Sequence, residues 1–232
     1  MALKLTLQRF GMTVFAAFAI TAASAQGAPE YVALNPPQPV DNDGKIEVLE
    51  FFAYGCPHCA DLEPKLNQWV ARQPADVKVK RVPAVLLVRG IDSVPLFYTL
   101  EAMGMEEKLH QKIFDAANVE NVMLGNPATL LSWLEKQGVD PKKYEEMQKS
   151  FSVQGKIARG RRMSKDYQLP GTPMLVINGR FVLEQVGAGP AGADRMFATA
   201  DRLIAEARAS VKTAAKPAAA PVATAASNEK KK

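Results

Sequence analysis

The chain has 232 residues, with 29 basic and 24 acidic side chains and a formal net charge of +5. Two basic residues, Lys4 and Arg9, lie at the N-terminus and five lysines lie beyond Val211, so the segment between the ends is close to neutral. Since the sequence has no basic stripe interleaved with aromatic residues, we expect no nucleic-acid partner.

Residues 1–25 have the features of a secretory signal peptide. Lys4 and Arg9 give it a positive start, residues 10–22 are apolar, and residues 23–25 form an A-x-A cleavage site. An uncleaved membrane anchor is the alternative, but the apolar run is shorter than the roughly 20 residues that a spanning helix needs. We therefore expect export to an oxidising compartment, where disulfides persist.

A strand–helix–strand unit is predicted in residues 41–90, after an extended, proline-containing lead-in at residues 26–40. Residues 45–53 form a near-continuous apolar run, which is typical of a buried strand. Residues 57–72 have apolar positions at helical spacing, although a proline interrupts them and should kink the helix. Alternating β-branched residues at 77–85 predict a second strand, parallel to the first.

The segment 91–165 contains almost no strand pattern, and we interpret it as an all-helical insertion. Ser93 is expected to cap its first helix, with Pro95 in the first turn and Gly104 after the end. Periodic apolar residues predict four further helices at residues 106–117, 129–137, 141–151 and 153–167.

Strand patterns return in the segment 166–210. Residues 174–177 and 181–184 flank Asn178-Gly179, a strong signal for a two-residue hairpin turn, and residues 191–209 predict an amphipathic helix. The expected fold is therefore an α/β unit with a mixed β-sheet, interrupted by the helical insertion.

The last segment, residues 211–232, is mainly Ala, Pro, Lys and Thr. It has almost no bulky apolar residues with which to offset the entropy of ordering, and we therefore predict a disordered tail.

The only two cysteines lie in the motif Cys56-Pro57-His58-Cys59, between the first predicted strand and helix. A disulfide across two residues closes almost no loop and would stabilise the fold very little, whereas a helix N-terminus favours a reactive thiolate. The motif therefore indicates a redox-active pair. A metal site is the alternative, but the only histidines are His58 and His110, and a closed zinc site needs four well-spaced ligands.

Together these features resemble the DsbA family of bacterial periplasmic thiol oxidases. The resemblance covers roughly residues 40–209 and rests on residues 48–52, the Cys-Pro-His-Cys motif, the helical insertion, Gly171-Thr172-Pro173-Met174 and Asn178-Gly179. It implies a thioredoxin fold with a mixed β-sheet and an inserted all-helical domain. The Ala- and Lys-rich tail departs from the family pattern but does not touch the site.

The resemblance implies a role for each residue around the cysteines. Cys56 would be the exposed nucleophile, Cys59 the more buried resolving thiol, and His58 would stabilise the Cys56 thiolate. Pro173 would be a cis-proline that faces the cysteine pair and leaves the backbone of Thr172 free to pair with a substrate strand. The alternative is a trans proline in an ordinary loop.

Glu50 is an acid inside the first apolar strand, where partial burial is expected to raise its pKa. By resemblance it would lie beneath the thiols and assist proton movement to or from Cys59. The alternative is a solvated residue, as Glu47 is expected to be. Arg81, where the family often has a lysine, is a candidate partner for Glu50.

The resulting hypothesis is a periplasmic oxidase that donates its Cys56–Cys59 disulfide to unfolded, cysteine-containing exported proteins through a mixed disulfide at Cys56. It implies reoxidation by a membrane partner of the DsbB type, no cofactor beyond the disulfide, no metal, and a monomer. Two alternatives stay open. One is a disulfide reductase or isomerase on the same fold, and the other is a peptide-binding chaperone module with an idle disulfide.

Overall fold

The structure is a computed structural model that describes residues 30–41, 43–184 and 189–214, with side chains described as far as residue 210. The predicted signal peptide lies outside the described residues, and so does the predicted tail from residue 215 onward. Within the described ranges, no helix is long and apolar enough to cross a membrane.

Strands and helices alternate along the first and last parts of the described chain, with a run of helices between them. In chain order they are β1 (Val32–Ala33), β2 (Ile46–Phe52), α1 (Pro57–Ala71), β3 (Val77–Pro83), β4 (Leu87–Val88), β5 (Ile91–Asp92), α2 (Ser93–Ala102), α3 (Glu106–Asn118), α4 (Pro127–Lys136), α5 (Pro141–Lys149), α6 (Phe151–Asp166), β6 (Met174–Ile177), β7 (Phe181–Glu184) and α7 (Gly189–Ala214).

Five strands form a mixed sheet in the order β1-β7-β6-β2-β3. The pair β2–β3 is parallel, and the pairs β2–β6, β6–β7 and β7–β1 are antiparallel. These directions confirm the predicted parallel first pair and the predicted hairpin. Strand β2 lies inside the sheet and is buried along its whole length, so the position of its C-terminal end, which leads into α1, is well defined.

The two faces of β2 pack against different helices because side chains alternate along a strand. Ile46 and Val48 share a core with apolar residues of α1 and α7. Leu49 and Phe51 face the other side, where the Phe51 ring lies 5.2 Å from the ring of Tyr167, at the end of α6. Covered faces of this kind explain why the strand reads as a continuous apolar run.

The helical insertion has a core of its own that continues into the end of β2. Its buried residues join Phe52 and Tyr54 in one cluster that also contains both cysteines. The cluster members from the insertion include Leu96, Leu100, Leu109, Ile113, Phe114 and Leu134. The segment that contains the cysteines is therefore packed between the five-stranded sheet and the helical insertion.

Two short strand pairings were not predicted. Strand β1 adds an edge to the sheet from within the lead-in, and β4 pairs with β5 in a small hairpin around Arg89 and Gly90. Both turn residues have positive φ angles, of 53° and 73°. Strands of two residues contain too few alternating positions for a periodic pattern to reveal them.

Four predicted helix starts, those of α2, α4, α6 and α7, are wrong by one or two residues, and in α2 and α6 the error lies in the cap residue. Asp92, and not Ser93, caps α2, and the Ser93 hydroxyl instead accepts a hydrogen bond from the backbone N–H of Tyr54. Ser150 caps α6, which places Phe151 at the start of α6 and not at the end of α5. Serine and aspartate are both good caps, so neighbouring candidates cannot be separated by residue type alone.

The last helix is longer than predicted. Helix α7 continues to Ala214, past the predicted end at residue 209, and so enters the segment that was assigned to the tail. The added residues include alanine and lysine, which are among the better helix formers. The first residues of the predicted tail, 211–214, are therefore helical and not disordered as predicted.

Gly155 and Gly160 lie in the same helix but in different surroundings. A Cβ atom at Gly155 would meet nothing within 4 Å, whereas one at Gly160 would lie 2.7 Å from the ring of Tyr98. Gly155→Ala should raise the free energy of unfolding by about 1 kcal/mol. Gly160→Ala should lower it by about 1–3 kcal/mol, since the Tyr98 ring must move. Urea unfolding of both variants measures the effects, and changes of the same sign would contradict this packing.

Candidate active site

Both cysteines lie where β2 gives way to α1. Cys56 is the N-cap residue, with an extended backbone (φ −84°, ψ 114°), and Pro57 takes the first helical position, where a missing N–H costs nothing. Cys59 therefore lies in the first turn of α1, and both side chains are free thiols. This is the predicted strand–turn–helix arrangement.

Cys56 is the more accessible of the two thiols, but it is not exposed as predicted. Only 6% of its surface reaches solvent, against 1% for Cys59. The Cys56 thiol donates a hydrogen bond to the backbone carbonyl of Thr172, with 3.4 Å between sulfur and oxygen. The loop before β6 therefore lies against the sulfur. Cys56 and Thr172 are 116 positions apart, so no local sequence pattern could predict this contact.

The pKa values of the two thiols move in opposite directions. The pKa of Cys56 falls from 9.0 to about 6, chiefly through a hydrogen bond with Cys59. Burial raises this pKa, but the Thr172 side chain and the backbone N–H groups of Cys59 and His58 lower it further. Burial raises the pKa of Cys59 far above its usual value, and the neighbouring Cys56 raises it further. At neutral pH, Cys56 is therefore the thiolate and Cys59 keeps its proton.

Pro57 and His58, the two residues between the cysteines, are both exposed. The backbone N–H of His58 is one of the groups that lower the pKa of Cys56. The predicted contribution of the His58 imidazole stays a prediction. A helix N-terminus offers such free N–H groups whatever the side chain, so the position of His58 in the turn is what supplies this stabilisation.

The peptide bond between Thr172 and Pro173 is cis, as predicted, and Pro173 is buried. This loop leads into β6, which pairs with β2 inside the sheet. Thr172 is thereby placed beside Cys56, and the pairing of β2 with β6 fixes the distance between the loop and the thiol.

Glu50 is fully buried, and not half-buried as predicted. Burial raises its pKa to about 8, with a further rise from the nearby Glu63 and an opposing effect of Arg81. Residues 50 and 81 are direct neighbours across β2 and β3, and the Arg81 Nε atom lies 3.4 Å from a Glu50 carboxyl oxygen. The candidate pairing of Arg81 with Glu50 is therefore present. Glu47, expected to be solvated, is also buried and pairs with Lys80.

Glu63 and His110 form a buried cluster with Glu50 and Arg81 that sequence reasoning missed. The Arg81 guanidinium donates a 2.7 Å hydrogen bond to Glu63, and the Nε2 atom of His110 lies 3.5 Å from the same carboxyl group. The side-chain amide of Asn67 donates a further hydrogen bond to Glu63, over 3.0 Å. Burial would raise the pKa of Glu63, but His110 and Arg81 lower it overall. The available signal was spacing, because Glu63 follows Cys59 by four residues and so shares its helix face.

The buried cluster contains two carboxyl groups and a histidine, which are residue types that can bind a metal ion. Among the described residues, no group of three or more His, Cys, Asp or Glu side chains is placed to hold one. Glu50 and Arg81 instead line a cavity of about 800 Å³, between β3 and α6, that is partly open to solvent. The cavity therefore brings solvent close to this part of β2 and β3, while the Glu50 side chain itself stays buried.

The sequence and the structure are both similar to known proteins. A family model described as "DSBA-like thioredoxin domain" matches residues 92–203. The thiol:disulfide interchange protein DsbA of Bordetella parapertussis is 40% identical over 189 residues, which cover 81% of this chain and 88% of that protein. DsbA of Pseudomonas aeruginosa PAO1 is 39% identical over 79% of this chain and 86% of that protein. The chain belongs to the DsbA family.

Solved DsbA structures also match the fold. The crystal structure of Pseudomonas aeruginosa DsbA has a TM-score of 0.70 and 34% sequence identity, and the match covers 79% of this chain and 94% of that chain. For reduced DsbA1 from Neisseria meningitidis the TM-score is 0.67, with 28% identity over 82% and 99% of the two chains. The thioredoxin fold with a helical insertion is thus confirmed, and this DsbA-family chain is a thiol:disulfide oxidoreductase with Cys56 and Cys59 as its CXXC pair.

In this DsbA-family site, replacing Glu50 by glutamine should stabilise the protein at alkaline pH. The Glu50 pKa is about 8 in the folded chain against 4.5 normally, so the unfolded chain releases this proton first and folding becomes less favourable as the pH rises from about 4.5 to 8. Glu50→Gln removes this penalty. The expected gain in the free energy of unfolding is near zero at pH 4.5 and on the order of 3–4 kcal/mol at pH 8.

Urea unfolding of the oxidised protein measures this gain without interference from the thiols. Glu47→Gln is the matched control, since Glu47 lies on the same strand but pairs with Lys80 and should give no gain. An equal effect of Glu50→Gln at both pH values would contradict a raised Glu50 pKa.

Proposed function

We propose that this DsbA-family chain works as an oxidase, which donates the Cys56–Cys59 disulfide to client proteins. A client thiolate attacks the Cys56 sulfur, the sulfur–sulfur bond breaks, and Cys59 leaves and takes up a proton. A second client thiol then attacks the mixed disulfide, and Cys56 leaves as a thiolate. The client loses two electrons and gains a disulfide, and the enzyme is reduced to its dithiol.

The contrast between the two thiols is the observation that supports this direction. A leaving thiol of low pKa departs faster, and a reduced state stabilised as a thiolate makes the corresponding disulfide a stronger oxidant, a relation for which DsbA is itself the known example. Cys56 has the lowered pKa, and it is also the thiol with access to solvent. Exchange therefore starts at Cys56 and favours release of an oxidised client.

The compartment and partners belong to the same proposal. The features of residues 1–25 support export to the periplasm, where the clients are unfolded, cysteine-containing exported proteins. The reduced enzyme then needs an oxidant, for which we propose a membrane protein of the DsbB type. The chain acts as a monomer and uses no metal or organic cofactor beyond its disulfide.

A glutathione equilibrium tests the direction of transfer. The full mature protein is incubated with mixtures of reduced and oxidised glutathione, and the fraction of reduced enzyme is measured. An oxidase stays largely reduced even in mixtures rich in oxidised glutathione. A reductase or isomerase on the same fold would be largely oxidised there, and this result would overturn the proposal.

Two activity assays distinguish the proposed oxidase from the remaining alternative, a peptide-binding chaperone. The oxidised enzyme should convert a dithiol client peptide to its disulfide within one turnover and should reduce insulin slowly. A peptide-binding chaperone with an idle disulfide would do neither.

A further inference from the structure

The turn that delivers Cys56 is held from outside by the helical insertion. The Cys56 N–H donates a 3.0 Å hydrogen bond to the Ala53 carbonyl, so Tyr54 and Gly55 are the two central residues of a turn between β2 and α1. Central turn residues usually direct their backbone groups to water. Tyr54, however, is fully buried, so its N–H and C=O need partners within the protein.

Both partners are side chains of the insertion. The Tyr54 N–H donates to the hydroxyl of Ser93 over 2.9 Å, and the Tyr54 C=O accepts from the side-chain amide of Asn118 over 2.8 Å. Ser93 is the first residue of α2 and Asn118 is the last of α3. Two separate helices therefore hold the same residue, Tyr54, by its backbone N–H and its backbone C=O.

Two further contacts hold this turn, one from the insertion and one from β4. The Tyr54 hydroxyl lies 3.0 Å from the Nδ1 atom of His110. A Cβ atom at Gly55 would lie 2.2 Å from the backbone oxygen of Val88, so β4 packs directly on the second central residue of the turn. Both central residues of the turn are thus held by residues that lie outside β2 and α1.

We propose that Ser93 and Asn118 are positioning residues for disulfide exchange, which hold the Tyr54–Gly55 turn so that the Cys56 sulfur meets the N–H groups at the start of α1. This inference rests on the proposed reactivity of Cys56, and it names two residues outside the Cys-Pro-His-Cys motif on which that reactivity depends. The insertion is then part of the apparatus that makes the thiol reactive.

The physical reason is that the stability of the Cys56 thiolate depends on how its sulfur is oriented toward the start of α1. Cys56 is the N-cap residue of α1, so its sulfur lies beside the first turn of the helix, where the backbone N–H groups of His58 and Cys59 favour the thiolate. Hydrogen bonds to an anion weaken steeply when the donors are misaligned. We call the hydrogen bonds of Ser93 and Asn118 to Tyr54 the two clamps. Loss of either clamp leaves a buried backbone group of Tyr54 without a partner, and the turn then shifts to give that group a new one.

The test compares two clamp variants with a matched control in the full mature chain. Ser93→Ala removes the acceptor for the Tyr54 N–H, and Asn118→Leu removes the donor to its C=O. Thr99→Ala is the control, because Thr99 is a buried hydroxyl in the same helix α2 whose 2.7 Å hydrogen bond goes to the Pro95 carbonyl, away from the turn. For each protein we measure the thiolate absorbance against pH, the glutathione equilibrium and the stability in urea.

Both clamp variants should raise the midpoint of Cys56 ionisation by about one pH unit, a tenfold change in the ionisation constant, and should make the enzyme a weaker oxidant. Thr99→Ala should lower the stability in urea but leave the midpoint and the glutathione equilibrium unchanged. If Asn118→Leu does not fold, Ser93→Ala, which removes a single oxygen atom, decides alone.

A clamp variant that loses stability but keeps the wild-type midpoint and equilibrium overturns the inference, since Ser93 and Asn118 would then be structural only. This failure is distinct from failure of the proposed function. In that case the wild-type Cys56 would itself ionise like an ordinary cysteine.

Discussion

Cys56→Ser is expected to abolish disulfide exchange, with a fall in rate of about a thousandfold or more. A serine oxygen cannot form the mixed disulfide, and Cys59 cannot replace Cys56 because it is 1% exposed and its pKa is strongly raised by burial. The measurement is the oxidation of a dithiol client peptide with oxidised glutathione in excess, followed for the variant and the wild-type protein.

Cys59→Ser is the matched variant and should fail in a different way. Its Cys56 thiolate still attacks a client disulfide, but no second thiol remains in the enzyme to release the client. Mixed disulfides should therefore accumulate on Cys59→Ser and be visible on non-reducing gels, whereas Cys56→Ser forms none. Trapping by Cys56→Ser, or equal behaviour of the two variants, would contradict the assigned roles.

The second large effect is a pH dependence of the difference in stability between the reduced and the oxidised protein. The Cys56 pKa is about 6 in the folded chain and 9.0 normally. A lowered pKa contributes stability that is complete above pH 9 and is lost as the pH falls toward 6. The advantage of the reduced form should therefore grow by about 2.5 kcal/mol between pH 5 and pH 8.

Unfolding in urea of the reduced and oxidised proteins, in the same buffers, gives this difference directly. Other titrating groups are common to both forms and largely cancel in the subtraction. Cys59 does not disturb the result below pH 8, because its thiol stays protonated in both the folded and the unfolded chain there. A difference that stays constant between pH 5 and pH 8 would show that Cys56 has no unusual acidity.

The elements that could be predicted from the sequence are those whose packing leaves a long periodic pattern. Strand β2 is buried on both faces and reads as a continuous apolar run, and the hairpin of β6 and β7 has an Asn-Gly turn. The two-residue strands β1, β4 and β5 leave no such pattern. Strand β1 is held by a tertiary contact, the antiparallel pairing of Val32 with Val182, whereas β4 and β5 pair with each other in a local hairpin.

The same division applies to the site. The motif Cys56-Pro57-His58-Cys59 and the Thr-Pro pair are local signals, so the sequence contains them directly. The cluster around Glu63 and His110 and the partners of Tyr54 join residues from α1, α2 and α3 that are far apart in the chain. A lone serine, asparagine or histidine in a helix has many ordinary roles, so only the folded structure shows which ones meet.

The contact between Cys56 and Thr172 also sets an order of events as the chain is made. The two residues are 116 positions apart, and β6, which places Thr172, is among the last strands to emerge. A chain that ends after α6 already contains both cysteines but lacks the loop that lies against the sulfur. An unfinished molecule therefore lacks one wall of the thiol site, and the site is complete only after β6 and the loop before it have been synthesised.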